Sequence, residues 1–189
     1  GSGKSTTMNI LGGVHQPDGG AMWLADRPYQ PRGPKDAAAA GIAFIHQELN
    51  LFKNLSVEEN LFIGGFPKLV PGLPLIDRRR VRARTLELLK AVELDLPPAT
   101  PVSRLSQGER QLLEIAKALA QDARIVIFDE PTTSLTARES ERLFALIGRL
   151  RQRGIAVIYI SHILGDVMRL CDDVVVLRDG HLVGNAPVA

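Results

Sequence analysis

Cysteine and tryptophan each occur once in the 189 residues, tyrosine twice, and aromatics together make only 5% of the chain. A lone Cys171 cannot close an internal disulfide, which excludes a disulfide-framed secreted scaffold and fits a reducing compartment. Long apolar runs are also lacking. The richest stretches, Ile125–Phe128, Ile155–Ile160 and Val174–Leu177, fall far short of the roughly 20 residues that cross a bilayer. No basic-then-apolar start marks a secretory leader. Charge of one sign is missing too: 23 Lys and Arg against 21 Asp and Glu leave +2, which gives no whole-protein pull on nucleic acid. The one basic cluster, Arg78–Arg84, reads as a solvated helix face. What remains, 45% apolar and 23% charged, is the balance of an ordinary globular domain.

Helical and strand-like patterns alternate, which predicts an α/β architecture with a largely parallel sheet. Helices are expected over Lys4–Leu11, Asp36–Ala40, from Ser56, from Asp77 to about Leu94, over Ser106–Ala120, Thr136–Arg153 and Ile163–Cys171. Leu86, Leu89 and Val92 are at helical spacing and predict the packed face of the fourth of these. Ser56 with Glu59, and Thr136 with Glu139, have the spacing of capping boxes. Strands are expected at Ala21–Asp26, Ile42–Gln47, Arg124–Phe128, Ile155–Ile160 and Val174–Leu177, with a hairpin turn at Asp179-Gly180. The stretch 49–120 is mostly helical and the flanks 1–48 and 121–189 supply the strands, which suggests a helical subdomain set into a sheet-based core.

Two stretches carry chemistry on their own. Gly1-Ser2-Gly3-Lys4-Ser5-Thr6 fits the end of a phosphate-binding GxxxxGK[ST] loop. Successive backbone N–H groups there form an anion-binding concavity, and the following helix adds its positive end. Lys4 would reach the β and γ phosphates, Ser5 would ligate Mg²⁺, and Thr6 would add a phosphate contact. The second stretch is four apolar residues followed by Asp129 and Glu130. A buried strand ending in two carboxylates delivers them to the edge where α/β sheets bind ligands. Nucleotide hydrolysis needs one carboxylate to orient a hydrated metal and one to activate water. Asp129 is assigned to Mg²⁺ and Glu130 to the water.

Further stretches give these two a family. Val102–Ala120 resembles the signature motif of ABC-type ATPases, with Leu105, Ser106, Gln107, Gly108 and Glu109 in its five positions. Gln47 stands where that family has its Q-loop glutamine, His162 where it has the switch histidine, and Ser134–Glu139 where it has the D-loop. The order of motifs matches throughout. GVHQPDGG, FDEPTTSLT and ISHILGDVMRLCDDVVVLRDG further resemble the amino-terminal half of monosaccharide-import ATPases. Gln107, Glu109 and Thr136 depart from the general pattern and read as marks of that subgroup.

The resemblance implies a P-loop NTPase fold with a RecA-like core and an inserted helical arm. It implies two ATP molecules sandwiched between paired domains, with Leu105–Glu109 acting in trans on the partner's nucleotide. Glu130, His162 and Gln47 would be catalytic, and Gln47 would also touch Mg²⁺. The implied cofactors are ATP and Mg²⁺. The implied partners are a second ABC domain, transmembrane permease subunits and, indirectly, a sugar-binding protein, with no nucleic acid, at the cytoplasmic face of the membrane. A soluble ABC ATPase acting on ribosomes or nucleic acid, and an importer of another small solute, remain as alternatives. His15, His46 and Trp23 read as structural or surface residues. The resemblance also predicts a strand ahead of the phosphate loop, within the sheet, and so a chain that is poorly stable and weakly ATP-binding without it.

Overall fold

The computed structural model describes residues 2–46, 50–70 and 73–188. In order it forms α1 (Lys4–Leu11), β1 (Trp23–Leu24), β2 (Arg27–Pro28), α2 (Pro34–Ala39), β3 (Ile42–Ile45), α3 (Val57–Phe62) and α4 (Arg78–Ala91). There follow a short 3-10 helix (Val102–Arg104), α5 (Gln107–Ala120), β4 (Ile125–Asp129), α6 (Ala137–Gln152), β5 (Ala156–Ile160), α7 (Leu164–Leu170), β6 (Asp173–Arg178) and β7 (His181–Pro187).

β3, β4 and β5 pair in parallel in that spatial order, with Ile45 opposite Phe128 and Asp129 opposite Ile160. Parallel strands need crossover connections and cover on both faces, and the helices provide them. On one face Ile45, Val126 and Phe128 pack in a single cluster with Leu113 and Ile115 of α5 and Leu146 and Ile147 of α6. On the other, Ile42, Ile127 and Ile160 meet Ala37 of α2 and Met8 and Leu11 of α1. Val57, Leu61 and Leu88 of α3 and α4 join the first cluster, so the helices of 49–120 share one core with the sheet. The two remaining pairs, β1–β2 and β6–β7, are antiparallel.

Local rules explain the boundaries. Ser56, Ser106 and Thr136 each cap a helix in a complete capping box with the glutamate three residues on. Asp77 accepts the Arg80 N–H and starts α4. Three expectations are corrected. The strand around Trp23 is only two residues long, because Ala25 and Asp26 take positive φ in a tight turn. α4 stops at Ala91, where Glu93 turns left-handed, and not near Leu94. Leu86 is 49% exposed, while the packed face runs through Val81, Thr85, Leu88 and Leu89.

β5 pairs only on its β4 side among the described residues. Its other side lines a groove of about 1190 Å³ that runs to Val174, Val175 and Leu177 of β6 and is bordered by Lys4, Thr7 and Met8 of α1. The parallel register leaves Glu130, Ser161 and His162 just past the carboxyl ends of β4 and β5, at one edge of the sheet. That is the edge where open α/β sheets hold ligands.

Candidate functional site

The phosphate loop is shaped by Gly3. Its φ of 88° is left-handed, and a Cβ there would come within 3.1 Å of the Gly180 Cα. Glycine is therefore required both by conformation and by space. The Gly180 N–H donates to the Ser2 carbonyl at 3.3 Å, so the β6–β7 turn holds the loop from behind. Thr7 donates from its N–H and from Oγ1 to the Gly3 carbonyl, each at 3.0 Å. No side chain caps α1. The first amides of an uncapped helix are orphan donors, so those of Lys4, Ser5 and Thr6 are open to an anion. Lys4 is half-buried beside the groove that Ile160 and Ser161 also line, and Ser5 and Thr6 are exposed.

Asp129 ends β4 half-exposed, and Glu130 follows in a left-handed conformation with φ of 48°. A non-glycine residue in that region is uncommon and costs about 1–3 kcal/mol. It is held there by its N–H, which donates to the Ile160 carbonyl at 2.9 Å, and by its carbonyl, which accepts from Thr133 Oγ1 at 3.0 Å. The twist turns the Glu130 carboxylate toward β5, where Oε2 stands 3.3 Å from His162 Nδ1. Two residues 32 apart in sequence thus meet past the carboxyl ends of β4 and β5.

Below them lies a set of contacts that sequence reasoning missed. Thr132 Oγ1 and Tyr159 Oη both donate to Asp166 Oδ2, at 2.9 and 3.2 Å. Burial pushes the Tyr159 hydroxyl well above its ordinary range, which keeps it a donor. Asp166, in the first turn of α7, thereby ties the turn after Glu130 to the strand before His162. The only signal for them was their nearness in sequence to the carboxylate pair and to His162.

Ser106 caps α5 at the surface, where its N–H donates to Glu109 Oε2 at 2.7 Å and its Oγ accepts from the Glu109 N–H at 3.2 Å. Leu105 is buried. Gln107 Nε2 donates to Ser134 Oγ at 3.4 Å, and the Gly108 N–H donates to Glu139 Oε1 at 3.2 Å. A Cβ on Gly108 would overlap that carboxylate, so the signature glycine and the segment after the carboxylate pair are fitted to each other. Gly1 and Gln47 lie outside the described residues. Mg²⁺ suits the donors present: Ser5 and Asp129 offer only hard oxygen ligands, and that ion takes one or two protein oxygens plus substrate phosphates.

Glu139 serves two helix starts at once, capping α6 through Thr136 and reaching the Gly108 amide of α5. Its carboxyl is held below the usual range, first by the Thr136 N–H and then by the Thr136 hydroxyl. Stability from a lowered carboxyl is present above its unfolded pKa and lost as pH falls through the folded value. We expect Glu139→Gln, which keeps a side-chain oxygen acceptor and removes the charge, to lose roughly 0.3–1 kcal/mol at neutral pH, the worth of a carboxylate at a helix start. The deficit should close in acid, below the ordinary carboxylate range. Urea midpoints at both pH values check this.

A family model described as ABC transporter matches residues 1–133. A ribose import ATP-binding protein of Rhodopirellula baltica is 47% identical over 186 residues, covering 98% of this chain and 36% of the relative. An arabinose import ATP-binding protein of Pseudomonas fluorescens is 45% identical over 183 residues, covering 97% and 35%. The chain spans little more than a third of the length of these curated relatives. A nucleotide-free ATP-binding cassette from an ABC transporter superposes with a TM-score of 0.85 at 23% identity, over 100% of this chain and 77% of that one. That likeness shows the P-loop NTPase fold. A cassette solved as a dimer in a post-hydrolysis state with ADP and phosphate gives a TM-score of 0.79 at 26% identity, over 100% and 82%.

Proposed function

The chain belongs to the ABC transporter family, and from that premise we propose that it binds and hydrolyses ATP to power import of a monosaccharide. The observation that carries the hydrolytic part is the meeting of Glu130 and His162, 3.3 Å apart, at the edge of the sheet beside an uncapped α1.

In this reading Gly1, Ser2, Gly3, Lys4, Ser5 and Thr6 bind the phosphates by backbone amides, the Lys4 ammonium and hydroxyls. Ser5, Gln47 and Asp129 would hold Mg²⁺, which would supply charge neutralisation for the phosphates. Glu130 accepts a proton from water as the water oxygen bonds to the γ-phosphorus. The bond from that phosphorus to the bridging oxygen breaks, and ADP leaves with the electron pair. His162 stabilises the charge that develops on the γ-phosphoryl oxygens, where positioning and electrostatics do most of the work. Leu105, Ser106, Gln107, Gly108 and Glu109 act on nucleotide held by a second ABC domain. Occupancy of the nucleotide site is passed to the helical arm 49–120 and from it to transmembrane permease subunits. A sugar-binding protein is an indirect partner and no nucleic acid is involved.

Among the described residues no helix is long and apolar enough to cross a membrane. The family of import ATP-binding relatives supports a peripheral place on the cytoplasmic face, bound through the permease. The sugar reading rests on the names of the ribose and arabinose import relatives. Its test is uptake of labelled ribose or arabinose into cells lacking the gene that carries this chain. Loss of uptake of at least one monosaccharide, restored by the wild-type gene and not by Lys4→Ala, is expected. Unchanged uptake of all monosaccharides tried would sink the import reading and leave the ATPase reading to its own test.

A further inference from the structure

The basic cluster after residue 77 takes no part in the nucleotide site, and neither does the finger that precedes it. The segments 67–70 and 73–77 pair with each other: Lys68 bridges antiparallel to Ile76, the Leu69 N–H donates to the Leu75 carbonyl at 2.8 Å, and the Asp77 N–H donates to the Pro67 carbonyl at 2.9 Å. Its apolar side chains are turned outward, with Leu69 61%, Leu75 52% and Ile76 47% exposed. Asp77 then caps α4, whose first turns carry Arg78, Arg79, Arg80 and Arg82, all exposed. From Pro67 to Arg84 there are six cations and one carboxylate, and that carboxylate is spent on the cap. Among the described residues Lys68, Arg79, Arg80 and Arg82 have no ion-pair partner.

We propose that this finger and the first turns of α4 form a docking surface for anionic lipid headgroups. Exposed apolar side chains beside unpaired cations are what an interfacial lipid contact needs: the apolar groups enter the acyl boundary and the cations meet the headgroup charge. The charge favours a lipid surface: from Pro67 to Arg84 the cations outnumber the carboxylates six to one. The arginines at 78, 79, 80 and 82 spread around the helix at about 100° per residue, so they present a diffuse positive field and no single complementary face. The inner face of α4, through Val81, Thr85, Leu88 and Leu89, is buried in the core, so the outer one is rigidly held. The surface does not depend on the reading of the nucleotide site.

The purified protein should co-sediment with phosphatidylcholine vesicles that are about one third phosphatidylglycerol, less so as salt rises, and not with phosphatidylcholine alone. Arg79→Gln with Arg80→Gln should weaken vesicle binding roughly twentyfold. Leu75→Ser with Ile76→Ser should weaken it at least about tenfold. All four side chains are exposed, so ATP turnover in solution should stay at the wild-type level and report an intact fold. Absence of wild-type binding to anionic vesicles overturns the proposal. So does binding that only the arginine pair weakens, since a lipid contact without the finger is ordinary charge attraction. Capture by vesicles only when an acidic membrane protein is present assigns the surface to that protein and overturns the lipid reading.

Discussion

Replacing Glu130 with glutamine is expected to cut ATP turnover by roughly two to four orders of magnitude, the usual worth of a positioned general base. ATP affinity should stay close to the wild-type value. Two features make the effect readable. The left-handed turn at residue 130 is held by its own backbone groups, its N–H to Ile160 and its carbonyl to Thr133, around a φ of 48°. Glutamine has the same length and keeps the left-handed turn, so the substitution removes the proton acceptor and leaves the scaffold. The carboxylate is only 27% exposed and faces His162 at 3.3 Å. Single-turnover hydrolysis, with nucleotide binding measured separately, distinguishes chemistry from affinity. Unchanged turnover would remove Glu130 as the base. A parallel loss of binding would mean that the turn itself had collapsed.

How much of this was written in the chain depends on the distance over which each feature acts. Two of the three capping boxes, Ser56 with Glu59 and Thr136 with Glu139, were legible because each acts across three residues; the third, Ser106 with Glu109, has the same spacing and was not read as a box. The strand ending in Asp129 was legible because four consecutive apolar residues can only be buried on both faces of a sheet. Leu86 was misread because helical periodicity identifies a stripe and not what covers it. The neighbouring stripe through Thr85 faces α3 and α5, and the Thr85 hydroxyl is satisfied by the Val81 carbonyl within its own helix. The contacts that position the site were not legible at all. Asp166 meets Thr132 across 34 residues, and Glu139 meets Gly108 across 31. Such pairs are set by how α7 and α6 return to the sheet, and no local pattern encodes that return. The left-handed Glu130 is of the same kind: sequence supplies the carboxylate, and only the pairing of β4 with β5 explains why strain at that residue is tolerated.

Mixing two inactive variants is expected to restore hydrolysis, if two copies of this chain pair as ABC domains do. Lys4→Ala removes the ammonium beside the groove, and a homodimer of it has two sites without a phosphate lysine. Ser106→Arg removes the exposed cap of α5 and crowds the amides behind it, and its homodimer has two sites without a working signature. Each alone should fall to background. In a heterodimer the defects segregate: one site carries both and the other carries neither. With random pairing half of the dimers are mixed and half of their sites are intact, so about a quarter of wild-type turnover should return. The Gly108 contact sharpens the expectation. Its N–H is already taken by Glu139 Oε1 at 3.2 Å. A partner's γ-phosphate must therefore displace a carboxylate from the α5 start, one anion exchanged for another at a positive helix end. Glu139→Gln weakens the resident acceptor, so adding it to the intact site of the mixture should lower the ATP concentration needed for half-maximal rate. No gain on mixing would show that Ser106 does not complete a site on another copy of this chain. Recovery without any shift from Glu139→Gln would show that the phosphate does not take the Gly108 amide.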